Sequence, residues 1–181
     1  MALALTVMAA MPSLWGSIGA AKAQAPGHRT PIDFDSILFS STRTRSGTVR
    51  FTHGKYREPL APGSVSELVM TVTDHWAMGL VNGEEAVGVV LTSDLGGSGT
   101  FYDLALLMKK TGGWRHVDTM FLGDRVRILS VIFHENRLIV DLISHAPHDP
   151  LCCPSSRVKR VFAVDTGRLV LVKASGDDDS L

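Results

Sequence analysis

Short turn signals recur along this chain of 181 residues, and they separate runs of β-branched and apolar residues. Asn82-Gly83 is the strongest signal, because both residue types tolerate the positive φ angles of a two-residue hairpin turn. Further signals lie at His53-Gly54, Glu135-Asn136 and Thr166-Gly167. Strands joined by such short turns pair antiparallel, since parallel strands need a long crossover. The sequence therefore predicts a mainly β fold, an antiparallel meander that forms a curved sheet, a sandwich or an open barrel.

The runs between the turns define the expected strands. Residues 101–108 fit either a helix or a strand by periodicity, and the glycine clusters on both sides of them favour a strand. The other expected strands are residues 48–52, 55–58, 67–73, 86–92, 126–133, 137–143, 158–164 and 168–172. One short helix is expected near residues 34–39.

The N-terminal segment has the pattern of a secretory signal peptide. Residues 1–23 contain no acidic residue, and an apolar run at 2–11 is followed by Ala-Lys-Ala at 21–23. This pattern predicts cleavage before Gln24 and a periplasmic or extracellular protein. The apolar run is too short for a spanning helix, so no transmembrane segment is expected after cleavage. No cysteine lies near the cleavage site, which argues against a lipid anchor.

Charge and length indicate one nearly neutral domain. Removal of residues 1–23 takes away Lys22 and leaves 17 basic against 18 acidic residues. This balance argues against nucleic acid as a partner, because such partners need a basic patch. The expected organisation is a signal peptide at 1–23, an N-terminal linker and docking segment at 24–46, a single β-rich domain at 47–173 and a disordered acidic tail at 174–181.

Both cysteines of the chain lie side by side in the segment HAPHDPLCCP, residues 145–154. Imidazole and thiolate groups are ligands of Zn²⁺ and Cu⁺, so this segment is the candidate functional loop. Adjacent cysteines seldom ligate one tetrahedral ion well, because their side chains diverge. A vicinal disulfide or a buried free pair is therefore favoured, no cofactor is expected, and a Zn or Cu site remains the alternative. The candidate residues are His145, His148, Asp149, Cys152 and Cys153.

Export predicts that Cys152 and Cys153 are oxidised to each other, because the chain has no third thiol. The bond closes a very small ring, so it should hardly stabilise the fold as a whole. Its expected effect is local, and ring strain should make it easier to reduce than an ordinary structural disulfide.

Two further motifs could support the candidate loop. Asp124 could orient Arg125 to recognise a carboxylate. We favour the alternative, in which the two residues form a turn and Arg125 reaches a neighbouring strand or the 145–154 loop. The glycines at 96–99 do not complete a nucleophile elbow or a phosphate loop, because Thr100 occupies the place of the last elbow glycine. They indicate a turn that needs positive φ angles.

Four histidines outside the candidate loop are expected at the surface. They are His53, His75, His116 and His134.

Three motifs in order, GGSGTF at 96–101, LGDRV at 122–126 and DPLCCP at 149–154, resemble a family of uncharacterised secreted bacterial proteins. The resemblance covers about residues 47–172. It implies export but no particular function, because the family has no assigned activity. Members often carry an Asp-rich loop of the type GDLNGDG before the first motif. Here residues 79–85 read GLVNGEE, with Leu80 in place of the first Asp, so a cation loop is not expected.

No complete catalytic motif is present in the sequence. We therefore expect an exported non-catalytic β module, a binding or accessory domain of the bacterial cell envelope that could take an envelope protein as its partner. The alternative is a metal- or thiol-dependent activity centred on residues 145–153.

Overall fold

The computed structural model describes residues 32–176, and these residues form an antiparallel β structure. A single turn of 3₁₀ helix, Phe34–Ser36, precedes the strands near the place of the expected short helix. The strands are β1 (Leu38–Ser40), β2 (Thr48–Arg50), β3 (Lys55–Pro59), β4 (Glu67–Val81), β5 (Glu84–Asp94), β6 (Thr100–Lys110), β7 (Gly113–Asp124), β8 (Arg127–His134), β9 (Arg137–Ser144), β10 (Ser156–Asp165) and β11 (Arg168–Gly176). The predicted mainly β class is confirmed.

The strands form three antiparallel sheets. One sheet has the order β3-β4-β5-β6-β7, a second has the order β11-β10-β9-β8, and β1 pairs with β2 alone. Neighbours in the two large sheets are consecutive in the chain, so each large sheet is a meander. The expected signal peptide and the last residues of the expected tail, 177–181, lie outside the described residues. Within residues 32–176, no helix is long and apolar enough to cross a membrane.

The two-residue turns have the backbone conformation that their sequence favours. Asn82 and Gly83 have φ angles of 50° and 85°, both positive, as a type I′ hairpin requires. Positive φ angles also occur at Glu135, Asn136, Thr166 and Gly167. The predicted turns at these three places are therefore confirmed. At His53-Gly54 the chain also turns, but β3 then pairs with β4 rather than continuing a hairpin with β2.

Two glycines allow the large sheets to approach each other closely. A Cβ atom added at Gly79 in β4 would overlap the side chain of Phe133 in β8. A Cβ atom added at Gly88 in β5 would overlap the side chain of Leu138 in β9. The core between the sheets includes Val90, Leu104, Leu106, Val140, Leu142 and Phe162.

The opposite face of the five-stranded sheet is also buried. Successive residues of a strand point to opposite faces, so Val87 and Val89 lie on the other side from Val90. Both are fully buried. The segment before β3 lies against this face, where the buried Phe39 contacts the ring of His116 in β7 at 5.5 Å and the buried Phe51 edge to face at 5.1 Å. Residues 33–46, expected to be part of a linker and docking segment, thus pack on the sheet.

Candidate functional site

The candidate loop, residues 145–154, and Ser155 together connect β9 to β10, and hydrogen bonds to Asp149 join the two ends of this connection. The Oδ2 atom of Asp149 accepts the N–H groups of Ala146 at 2.8 Å and Ser155 at 2.7 Å, and Oδ1 accepts the Ser155 hydroxyl at 2.7 Å. The hydrogen bond from the Ala146 N–H lowers the pKa of Asp149 below its ordinary value, and the bond from the Ser155 hydroxyl has the second largest effect. Asp149 therefore fixes the loop backbone in its ionised form.

The two sulfur atoms of the loop are bonded to each other. Cys152 and Cys153 have their Sγ atoms at disulfide distance, and both residues are exposed. His148 is also exposed, whereas His145 is partly buried and its Nε2 atom has no hydrogen-bond partner within residues 32–176. In the same part of the chain, no group of three or more His, Cys, Asp and Glu side chains is placed to hold a metal ion.

Asp124 and Arg125 form a local ion pair at the end of β7. The Nε and Nη2 atoms of Arg125 donate to Asp124 Oδ2 at 3.0 and 2.7 Å. The backbone N–H of Arg125 donates to the carbonyl of Thr100 at 2.7 Å, which ties the pair to the start of β6. Gly99 lies against Asp124, since an added Cβ atom would come within 3.2 Å of Oδ1. The pair thus braces the glycine-rich turn at 96–99.

The strand register brings the three sequence motifs to one end of the fold. Phe101 pairs with Asp124, which places the first motif beside the second. Arg127 then begins β8 opposite Ile143, directly before the loop that carries the third motif. These segments are distant in sequence and are neighbours because of the meander.

A second feature, which we call the groove, lies between residues 40–47 and β7. It has a volume of about 770 Å³, and its floor is formed by Met70, Leu91 and Asp103 of the five-stranded sheet. Residues 116–119 and Phe121 of β7 form one wall, and residues 40–47 form the other. The groove is built by three segments that local sequence patterns do not connect.

Arg43 fixes the 40–47 wall to the sheet. Its Nε atom donates to Asp103 Oδ2 at 3.0 Å and its Nη2 atom donates to Oδ1 at 3.2 Å. The guanidinium also lies over the rings of Phe101 and Phe121, at 4.9 and 5.4 Å from their centroids. Two-point ion pairs and cation–π contacts both restrict orientation, so the Arg43 side chain is held in one position.

His116 is a neutral hydrogen-bonding group in the β7 wall. Its Nδ1 atom accepts the N–H of Ser40 at 3.2 Å, so the ring proton lies on Nε2, which is 2.8 Å from Thr119 Oγ1. Burial lowers the pKa of His116 below its ordinary value, and the neighbouring Asp118 opposes this shift. The side chain therefore joins β1 to β7 in its uncharged form.

Sequence patterns did not reveal the residues of the groove. His116 was expected at the surface, and it lies within strand β7 and is partly buried. Arg43 and Phe121 belong to no local motif. Asp103 offered one signal: a carboxylate within an otherwise apolar strand needs a partner when it is buried.

Comparison with known proteins gives no match: no family model, curated protein or solved structure is similar to this chain. The resemblance to a secreted family stays a prediction. The functional inferences below rest on the groove and on the candidate loop.

Proposed function

We propose that this protein is an exported, non-catalytic β module of the bacterial cell envelope and that it binds a ligand in the groove. The observation that carries the proposal is the Arg43–Asp103 pair, which fixes one groove wall to the sheet. A wall that is already ordered loses little freedom when a ligand binds. The volume of about 770 Å³ is in the range of small-molecule sites.

The position of Asp103 supports this role for Arg43. Asp103 lies on β6, an interior strand of the sheet, and is 7% exposed, so its charge needs compensation. Arg43 supplies that charge from a segment that would otherwise be an exposed turn. The ion pair therefore serves to hold residues 40–47 above the sheet, which creates the groove.

Export of the protein can be tested by the mass of the protein, because signal-peptide cleavage shortens the chain. Export predicts that protein from the periplasm or the medium begins at Gln24. Intact-mass analysis of both fractions measures this directly. A protein that keeps Met1 and stays in the cytoplasm would contradict the export part of the proposal.

Ligand binding can be tested by mapping a defined fragment library on the ¹⁵N-labelled protein. We expect amide shifts to cluster at residues 40–47 and 116–121. The Arg43→Lys variant keeps the charge but loses the two-point geometry, so the same fragments should bind it more weakly. Fragments that shift only other residues would contradict the groove as the site.

A second candidate function is a thiol-dependent activity of residues 145–153. It is favoured by the exposure of Cys152 and Cys153 and by their bonded sulfur atoms. Catalysis of insulin reduction by dithiothreitol would support it, with the variant that has Ser at both positions as the control. A metal-dependent form of this alternative would place Zn or Cu at the same loop, and the metal content of the exported protein tests it.

A further inference from the structure

We propose that the groove recognises a neutral saccharide. This inference rests on the proposed function and narrows it to one ligand class. Three properties of the groove carry it: the compensation of its charges, its hydroxyl groups, and the exposed ring of Phe121.

The formal charges of the groove residues sum to zero, and each charged side chain has a hydrogen-bond partner within the protein. Arg43 is paired with Asp103, and Asp118 Oδ2 accepts the N–H of Leu169 at 2.7 Å. The guanidinium of Arg45 donates to the carbonyl of Pro59. His116 is uncharged. Two arginines and two aspartates are thus among the lining residues, so the groove has no excess charge that would select a strongly anionic or cationic ligand.

Hydroxyl groups form much of the polar lining. A hydroxyl both donates and accepts, and it rotates to suit its partner, so a set of them matches the hydroxyl groups of a sugar. Most lie on the 40–47 wall, and one lies on β7. They belong to Ser40, Ser41, Thr42, Thr44, Ser46 and Thr119. The hydroxyls of Thr44 and Ser46 donate to the carbonyl of Thr48, Ser41 Oγ accepts the N–H of Arg43, and Thr119 Oγ1 lies 2.8 Å from His116 Nε2. These four hydroxyls therefore offer a ligand only their remaining hydrogen-bonding capacity.

Phe121 supplies an apolar surface beside these hydroxyls. Phe121 is 51% exposed, and the guanidinium of Arg43 lies over its ring at 5.4 Å from the centroid. A pyranose ring combines hydroxyl groups at its rim with an apolar C–H face. A groove with hydroxyls on one wall and an exposed ring on the other is complementary to that combination.

The edges around the groove argue against an extended peptide. Peptides that add to a sheet need an unpaired strand edge for their backbone hydrogen bonds. The edge of the five-stranded sheet at the groove is β7, and both β1 and β11 lie against it. The Ser40 N–H that faces β7 is already bonded to His116.

The test is calorimetric titration with chitotriose, cellotriose and maltotriose at millimolar concentrations, with amide-shift mapping of each complex. We expect at least one neutral trisaccharide to bind and to shift residues 40–47 and 116–121. Phe121→Ala should weaken binding about tenfold. Ile132→Ala is the matched control, because Ile132 is 49% exposed and lies outside the groove. Thr42→Val removes one hydroxyl from the exposed wall and should also weaken binding.

The comparison ligands are trigalacturonate, which is an acidic trisaccharide, and trialanine. If either shifts the groove residues and the neutral trisaccharides do not, the saccharide inference is overturned while the groove remains a binding site. If no neutral trisaccharide shifts the groove residues, the saccharide inference is overturned, and the fragment mapping decides separately whether the groove is a binding site. Equal weakening by Phe121→Ala and Ile132→Ala would also overturn the inference.

Discussion

Arg43 and Asp103 are 60 residues apart in the chain and form a two-point ion pair at 3.0 and 3.2 Å. The pair joins the segment before β2 to the first half of β6. One interaction therefore compensates a buried carboxylate and builds a groove wall.

Removal of the Asp103 charge should destabilise the protein. Asp103→Asn leaves the partly buried guanidinium of Arg43 without its counter-ion, and we expect a loss of about 2 kcal/mol in the free energy of unfolding. Urea unfolding measures the change. Asp74→Asn is the control, because the Asp74 side chain is 94% exposed and should have little effect. Similar losses for both variants would show that the pair does not anchor the segment.

His116 should make stability depend on pH. Its pKa in the folded protein lies below the ordinary value of 6.5, so the unfolded chain binds the proton more readily. The contribution of neutral His116 is complete above about pH 6.5 and falls as the pH drops from there towards the folded pKa. Protonation of His116 would also place a proton on Nδ1, so this atom could no longer accept the N–H of Ser40.

The variant His116→Gln isolates this effect. Glutamine keeps an acceptor and a donor but does not titrate, so the variant should lose less stability than the wild type between about pH 7 and about pH 5. Urea unfolding at the two pH values measures the difference. Identical pH dependence of the two proteins would contradict a depressed pKa at His116.

The glycines between the sheets should resist substitution. Gly88→Ala places a methyl group on Leu138, and the overlap should cost about 2 kcal/mol of unfolding free energy. Gly97→Ala is the matched control, because an added Cβ atom there meets no atom within 4 Å. Thermal unfolding compares the two. If Gly88→Ala is as stable as Gly97→Ala, the sheets do not pack as closely as described.

The cysteine pair should contribute little to global stability, because its ring is very small. Replacement of Cys152 and Cys153 by Ser should leave the unfolding free energy nearly unchanged and should speed amide exchange in the loop. Asp149→Ala should increase exchange at Ala146 and Ser155 more strongly, since both amides lose their acceptor. Hydrogen exchange followed by mass spectrometry measures both variants. A large loss of stability in the serine variant would contradict the local role of the bond.

The hairpins could be predicted because their chemistry is local. Asn82-Gly83 specifies its own turn, and the adjoining strands follow from it. β7 could not be predicted in this way. It has two register shifts against β6, between Tyr102 and Asp103 and between Leu106 and Leu107, and such bulges disturb the alternation of apolar and polar residues.

The candidate site was predicted in part, for a similar reason. Cys152 and Cys153 are adjacent in sequence and are the two cysteines of the chain, so their pairing could be predicted from the composition. The directions of the neighbouring side chains could not be predicted from the sequence. In the structure the Asp149 carboxylate points into its own loop, whereas His148 is exposed. The groove depends on contacts between distant segments, such as that of Arg43 with Asp103, which no short pattern contains.

Crystal structures of the protein grown with chitotriose, cellotriose and maltotriose test the ligand-binding claim most directly. We predict a sugar ring between residues 40–47 and β7, against Phe121 and within hydrogen-bond distance of the hydroxyls of the groove. A groove without sugar in all three structures, or a sugar held instead by the candidate loop, would contradict the claim.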